Sequence, residues 1–539
     1  MHPYVAEEFT DEEAAVLRRY MTNLDLPVFA LVNLPEVVKG ALFARYSRSP
    51  KSLRRLFLDE FVGDLDLAGD VTFDATVGLD RAEQLYERVF FEYGDDSVAQ
   101  LGGVHLACEQ SSNLLTKILE WGRLMSYLEQ STRYLAYDQR PVSGHFRYYR
   151  PPSVLDSPLG ARYVGDLDRM FDTYGELLAM VQAYLHTAYP KDPGDSDFVH
   201  RQAIRAKSLD AVRGVLPAAS LSNVGIYGTG QGYEQLLLRM RANPLPEANA
   251  YAEMMLVELR KVIPSFLRRV DIADRGVAWS EYLASTSEAT ELVVDRLFPD
   301  GVDQEPEPPE VRLLDFDPDG EDKVLAAACF SHLSGSEAAV LAAVRRCSLP
   351  ERTALLEAYV GDRQNRRHRP GRAFERTDYR FELVTDYGAF RDLQRHRLCT
   401  IEWQRLGCAL GADVPGVVVD AGGGARFAES LARSKDLCDL IGQSHPDEAG
   451  YAVALAYRIR YVLQMNAREA MHVLELRSGP QGHPAYRRVA QEMHRQIASV
   501  AGHRAIAAAM HHVDYESTDL ERLDTERRAA ARRLERAGG

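Results

Sequence analysis
What this 539-residue sequence lacks narrows the field quickly. Its six cysteines (Cys108, Cys329, Cys347, Cys399, Cys408, Cys438) are scattered and form no Cys-x-x-Cys pair. A zinc knuckle or a disulfide framework is therefore not expected, and burial as small hydrophobes is the simple reading. There is no Walker loop, no nucleophile elbow and no ligand cluster at metal-binding spacing. No metal is expected. No apolar run approaches the roughly 20 residues that cross a bilayer, and Met1 to Glu8 lack the basic start and apolar core of a secretion signal. The expectation is a soluble cytoplasmic protein with no membrane partner. Positive charge is also short: 64 Lys and Arg against 79 Asp and Glu, a formal net charge of -15. Such a surface repels phosphate backbones, so nucleic acid is not an expected partner.

The chain is long enough, at 46% hydrophobic residues, for more than one core. Thr10-Asp11-Glu12-Glu13 has capping-box spacing and opens a helix. Charged helical segments are expected to about Gly94, a strand over Gly102 to Ala107, and a helix over Ser111 to Gly122. Long helices then run to about Val294. Between Phe298 and Asp322 the chain turns Pro-rich and acidic, which reads as a linker. Past it the pattern restarts. Tyr379 to Thr385 repeats the strand and Tyr387 to Gln394 the helix. Gly160-Ala161-Arg162-Tyr163 returns as Gly424-Ala425-Arg426-Phe427, and Leu238-Arg239-Met240-Arg241 as Leu474-Glu475-Leu476-Arg477. Several short echoes in one order point to a tandem duplication. The expected layout is a first domain over 1–297, a linker over 298–322, a second domain over 323–516 and a charged helical tail over 517–539, read as a solvated face. Gly228-Thr229-Gly230-Gln231-Gly232 reads as a hinge among helices.

Two clusters could carry chemistry. Glu129, Ser131 and Arg133 alternate along an extended loop and so share a side. Arg133 offers a planar fork and Ser131 a hydroxyl, which suits a nucleotide phosphate; a plain ion-pair loop would look the same. Arg395-His396-Arg397 comes directly after an apolar helix. It is either a basic cluster complementing the helix dipole or a site for an anionic cofactor. The dense basic run Arg363 to Arg372 and the helical set Asn466, Arg468 and His472 lie in the same half, with His483 beyond them in a Gly/Pro loop.

These residues resemble the flavin-dependent thymidylate synthase family, whose signature joins Arg-His-Arg-x-x-Ser to an Asn-Glu-x-Ser-x-Arg-Tyr loop. Here the signature is split. The first half keeps Glu129-Gln130-Ser131-Thr132-Arg133-Tyr134 but has Trp121 and Gly122 for the leading Arg-His. The second half keeps Arg395-His396-Arg397 and has Trp403 and Arg405 where the loop should be. The resemblance implies an α+β fold, two tandem copies of helices packed on a small antiparallel sheet. It implies nucleotide contacts from Glu129, Ser131, Arg133, Arg213 and Arg241, and flavin contacts from Glu375, Arg395, His396, Arg397, Asn466, Arg468 and His483. Arg241 and Arg477 match the arginine that reads the pyrimidine base; with Ser131 they are the implied catalytic residues. First-half counterparts of Asn466, Arg468 and His483 are expected at Gly230, Gly232 and Leu245, and Gly450 is expected opposite Arg213.

By the same resemblance the reaction is reductive methylation of dUMP to dTMP, with FAD as cofactor and NADPH and methylenetetrahydrofolate as co-substrates. Family members are homotetramers with sites between subunits. A duplicated chain would then be a homodimer forming a pseudo-tetramer of four domains, with a nucleotide clamp from one half facing a flavin cradle from the other. Two other readings stay open: a homologue that binds flavin or nucleotide with different or no chemistry, and a non-catalytic helical assembly protein.

Overall fold
Strand alternation sets up two sheets. In the second, Arg458 to Asn466 alternates apolar and polar, and Ile459, Tyr461, Leu463 and Met465 are the buried set, as a period of two requires of a half-covered strand. The computed structural model describes residues 4–5, 7–34, 36–46, 49–60, 102–140, 144–303, 305–516 and 519–538. The charged helical stretch expected up to Gly94 lies outside the described residues from position 61 onward.

The first sheet comprises β1 (Val28–Leu31), β2 (Gly103–Ser112), β3 (Met125–Glu129) and β4 (Leu221–Thr229), in the order β1-β2-β4-β3. The second comprises β5 (Val311–Phe316), β6 (Asp378–Asp386), β7 (Thr400–Trp403) and β8 (Arg458–Asn466), in the order β5-β6-β8-β7. All pairings are antiparallel. The fold is α+β, and the same strand order occurs twice. β2 runs five residues beyond the expected strand because a bulge between Cys108 and Ser111 is absorbed with Gln110 at φ 56°. Its helix accordingly begins only at Asn113, where Ser112 caps it.

Register aligns the copies residue by residue. Thr229 pairs with Gly103 and Asn466 with Asp378, and each of Thr229 and Asn466 caps the helix that comes after its strand. Asn466 therefore corresponds to Thr229, not to Gly230, and Arg468 to Gln231, not to Gly232. His483 and Leu245 do correspond; each stands at the N-cap of a helix whose first residue is proline. The glycine run at 228–232 is the junction of β4 with the helix Gly230–Arg241, not a hinge among helices.

The described residues fall into two compact units. One gathers residues 1–175, 216–304 and 432–453; the other gathers 176–215, 305–431 and 454–539. Each therefore contains a segment that sequence order assigns to the other half. In the first unit, the helix Pro246–Arg260 buries Tyr251, Ala252, Met255, Leu256 and Leu259 at helical spacing and packs on β1 and β2. In the second, the helix Pro484–Ser499 buries Val489, Ala490, Met493 and Ile497 and packs on β5 and β6. Side chains of this kind contribute about 1.5–3 kcal/mol each on burial.

Two further expectations change on contact with the structure. Within the stretch read as linker, Val311 and Leu313 are buried and form β5: a short apolar alternation outweighs the acidic, Pro-rich residues before it. The charged tail is not simply a solvated face. Glu521 and Arg522 are buried, Lys207 Nζ lies 2.9 Å from Glu521, and Arg527 pairs with Asp195 at 2.6 Å, so the helix Leu523–Gly538 lies on the helix Asp197–Val212. Among the cysteines, Cys108, Cys399 and Cys438 are buried while Cys347 is exposed. No helix among the described residues is long and apolar enough to cross a membrane.

Candidate functional site
In the second unit the helix Tyr387–Leu393 is capped by Asp386, which accepts from Ala389 N, and ends immediately before Arg395, His396 and Arg397. His396 is buried, Arg395 half-buried and Arg397 exposed. Arg477, at the end of the helix Ala467–Arg477, donates from Nε to His396 Nε2 at 2.8 Å. A guanidinium is always the donor, so His396 accepts there and carries its proton on Nδ1. That N–H faces Glu469, whose Oε1 is 3.7 Å away. The neighbouring His472 accepts at Nδ1 from Arg369, at 2.9 Å, and so presents its Nε2–H.

Burial, with Arg477 next in weight, holds the His396 pKa well below its ordinary value. Burial and Arg369 push His472 down to about 4. Both rings are neutral donors at physiological pH. Burial also raises Glu469 to about 7, against the pull of Arg369 and Arg468. His396, Glu469 and His472 bring possible ligand atoms within 4.8 Å of one another. Each imidazole lone pair is already given to an arginine, so the trio is an array of hydrogen-bond donors around a carboxyl group. A metal would have to displace both arginines.

Arg213 belongs to this same unit, in the 3-10 turn Arg213–Val215 that ends the helix Asp197–Val212. Its corresponding residue, Gly450, lies in the 3-10 turn Ala449–Ala452. The Arg213 side chain is 5% exposed and lies flat on Gly388, where a Cβ would come within 2.9 Å of Nη2. Nη1 is 3.8 Å from Asp392 Oδ2, and Asp392 Oδ1 is 3.6 Å from Arg477 Nη1. One carboxylate thus stands between two arginines. Nη2 of Arg213 is buried and has no hydrogen-bond partner among the described residues. An orphaned buried donor of this kind is costly unless a ligand meets it. Arg213 lines a cavity of about 480 Å³ with His483, Arg488, Asp386 and an apolar wall that includes Val417, Phe427 and Leu455. That size falls in the range of about 300–1,000 Å³ typical of small-molecule sites.

The other residues implied for the cofactor are each tied to a neighbour. Arg468 donates to Pro370 O at 2.9 Å and lies 3.3 Å from Glu375. Arg372 also holds Glu375, whose pKa is lowered chiefly by that bond. The Asn466 side chain accepts from Glu469 N at 2.9 Å and so positions the carboxyl beside His396. His483 Nδ1 accepts from Ala485 N, and its Nε2 is 3.3 Å from Asp210 O.

In the first unit Glu129 ends β3 and is buried with Lys117 and Glu120; Lys117 Nζ is 3.4 Å from Glu129 and 2.6 Å from Glu120. This is the ion-pair arrangement left open by the sequence. Ser131 Oγ accepts from Arg133 N at 3.2 Å, a local turn bond, and Arg133 is buried. Arg241 is engaged elsewhere, 2.8 Å from both Glu253 and Asp271; the register that sets Asn466 opposite Thr229 puts Met240, not Arg241, opposite Arg477, which turns toward His396. Register puts Trp403 opposite Glu129: Glu129 pairs with Val224 and Trp403 with Tyr461, the equivalent position.

Sequence reasoning misses Asp392 and Glu469, and it leaves Arg369 undistinguished within its basic run. Glu469 lies three residues before His472 on one helix, a spacing that shares a face, whereas Asp392 stands in the last turn of a helix that ends before His396; both signals are indistinguishable from ordinary surface charge.

Comparison with known proteins decides the family. The family described as thymidylate synthase complementing protein matches residues 55–265 and 312–503. The chain belongs to it. The two matched stretches carry β2, β3 and β4 in one case and β6, β7 and β8 in the other, so the family domain is present twice. A UPF0159 protein of Chlamydia muridarum is 40% identical over 97% of this chain and 99% of its own length. Another from Chlamydia pneumoniae is 38% identical over 97% and 98%, and one from Thermoplasma acidophilum is 32% identical over 93% and 99%. A solved structure, the UMP/dUMP methylase PolB from Streptomyces cacaoi bound with 5-Br dUMP, is 19% identical, spans 37% of this chain and 94% of its own, and has a TM-score of 0.30.

Proposed function
We propose that this member of the thymidylate synthase complementing family is a flavin-dependent enzyme that reductively methylates a pyrimidine nucleotide, dUMP to dTMP, with methylenetetrahydrofolate and NADPH as co-substrates. The observation that carries the reading is the buried guanidinium of Arg213, which has an unmet N–H, belongs to a residue lining a cavity of small-molecule size, and shares Asp392 with Arg477. The donor set suits the polar edges and phosphates of FAD. Neutral His396 and His472 present N–H groups, Arg395, Arg397 and Arg468 supply charge, and Asn466, Glu375 and His483 frame them. When bound, a flavin supplies the redox chemistry. The protein's own part is placement: Arg213 takes an anionic group beside an apolar wall that thins the water around it, and Arg477 is held in place by His396 and Asp392. Glu129, Ser131 and Arg133 are assigned to the nucleotide, and a homodimer would supply four such domains.

A second reading has its own support. Arg241 is tied to Glu253 and Asp271, and Trp403 and Arg405 stand where the first half has Glu129 and Ser131. A binding protein with different chemistry would tolerate both. The test is direct. The purified chain, mixed with FAD and desalted, should keep an oxidised-flavin spectrum and convert dUMP to dTMP with the two co-substrates. Arg397→Ala should lose flavin, while Arg133→Ala should keep flavin and lose nucleotide. A protein that stays colourless at high FAD overturns the proposal; a yellow protein that methylates no pyrimidine nucleotide favours the second reading.

A further inference from the structure
The helix Ala278–Leu297 has a single buried residue, Ser280, and every described residue from Ser285 to Asp303 is exposed. Exposure is not confined to polar groups: Leu292 is 71% exposed, Leu297 61%, Tyr282 62% and Phe298 51%. The pattern along the helix is regular. Trp279, Leu283, Thr286, Thr290, Val293 and Leu297 recur at spacings of four and three, the seam of a two-stranded coil. Glu281, Glu288 and Asp295 recur every seven residues on the opposite side. A lone helix of this length is marginal in water, because nucleation is costly and its apolar stripe stands open to solvent. Along the seam and its flanks Trp279 is 50%, Tyr282 62%, Val293 41%, Val294 46% and Leu297 61% exposed, an apolar and aromatic surface of the kind found at the core of an interface.

We infer that this helix is an assembly arm that pairs with the same helix of a second copy of the chain. The choice of a like partner comes from the residues. A seam of identical knobs and holes is self-complementary across a two-fold axis. Its flanking positions Tyr282, Ser287, Ala289 and Val294 are uncharged and Arg296 alone carries charge, too little to steer it to an oppositely charged unlike helix. The acidic residues fall on the outer side, where two copies would hold them farthest apart. The inference does not rest on the ligand reading; it needs neither flavin nor nucleotide.

The test is sedimentation velocity on the full chain at micromolar concentration. The parent should be dimeric. Val293→Glu combined with Leu297→Glu places like charges in the seam, an unfavourable juxtaposition, and should weaken the dimer by roughly a hundredfold or more. Glu288→Gln combined with Asp295→Gln on the outer side should leave it intact. All four positions are exposed, so both variants should fold and unfold cooperatively, the outer-side variant at the parent's temperature and the seam variant lower only by the stabilisation that dimerisation adds. A parent that stays monomeric, or a seam variant that dimerises as tightly as the parent, overturns the inference. A seam variant that turns monomeric yet still takes up FAD supports the inference and leaves the ligand reading untouched.

Discussion

Asp392 shows how much a single side chain can set. Placed 3.8 Å from Arg213 and 3.6 Å from Arg477, it cancels one of two positive charges before any ligand arrives. Asp392→Asn should therefore tighten binding of dUMP and of inorganic phosphate by about tenfold in calorimetric titration; unchanged affinity would mean the carboxylate does not compete. The same variant should lose about 1–3 kcal/mol of stability by leaving Arg213 less compensated. Glu247 is a second case, in the first unit. Its buried carboxyl accepts from Ser112 N at 2.9 Å, from Ser112 Oγ at 2.6 Å and from Tyr451 at 2.8 Å, and burial raises its pKa from 4.5 to about 7. With a raised native pKa the folded state binds more protons in that interval. Stability from this group is then full below about pH 4.5, declines as pH rises to about 7 and is flat above, a change of about 3 kcal/mol. Glu247→Gln should flatten the fall in melting temperature between about pH 5 and 7; a parental slope in the variant would show that other groups cause it. Neither residue could be read from sequence. Asp392 looks like any acid on a charged helix, and the environment of Glu247 depends on Tyr451, some two hundred residues away in the chain. His396 and Arg477 were legible because their types and positions match a signature, although the bond between them was not.

At the scale of elements, the sequence is most reliable where one period dominates. β6 and its helix lie within a residue of expectation because Tyr379 to Leu383 alternates and Asp386 caps the helix Tyr387–Leu393. β2 departs from expectation because a bulge at Gln110 breaks the alternation, and β5 was missed because acidic and proline residues crowd a strand of six. Asn466 links element to site: capping the helix Ala467–Arg477 fixes the backbone that presents Glu469, His472 and Arg477. Asn466→Ala should cost about 1 kcal/mol in chemical denaturation and weaken FAD uptake more than Asn466→Asp, which still caps. Equal losses of FAD in the two variants would mean that the side chain contacts the ligand and that capping contributes little.

Across the whole molecule, duplication was visible as ordered echoes, but the grouping of residues 176–215 with the second half and 432–453 with the first was not. Nothing in local pattern records which core a helical segment joins. Severing the chain after position 304 would deprive the first piece of Tyr451 and the second of Arg213. Each piece expressed alone should be insoluble or bind hydrophobic dye as a loose globule, and co-expression should restore soluble material. A first piece that melts cooperatively on its own would show that residues 432–453 are dispensable to it.

That interleaving also bears on heredity. A crossover in the middle of the gene, joining the front of one homologue to the back of another, would give each core a segment tailored to a different lineage's packing. Functional chimeras should survive only when the exchanged pieces include the borrowed segments, so the two copies are bound to evolve as a single unit of selection.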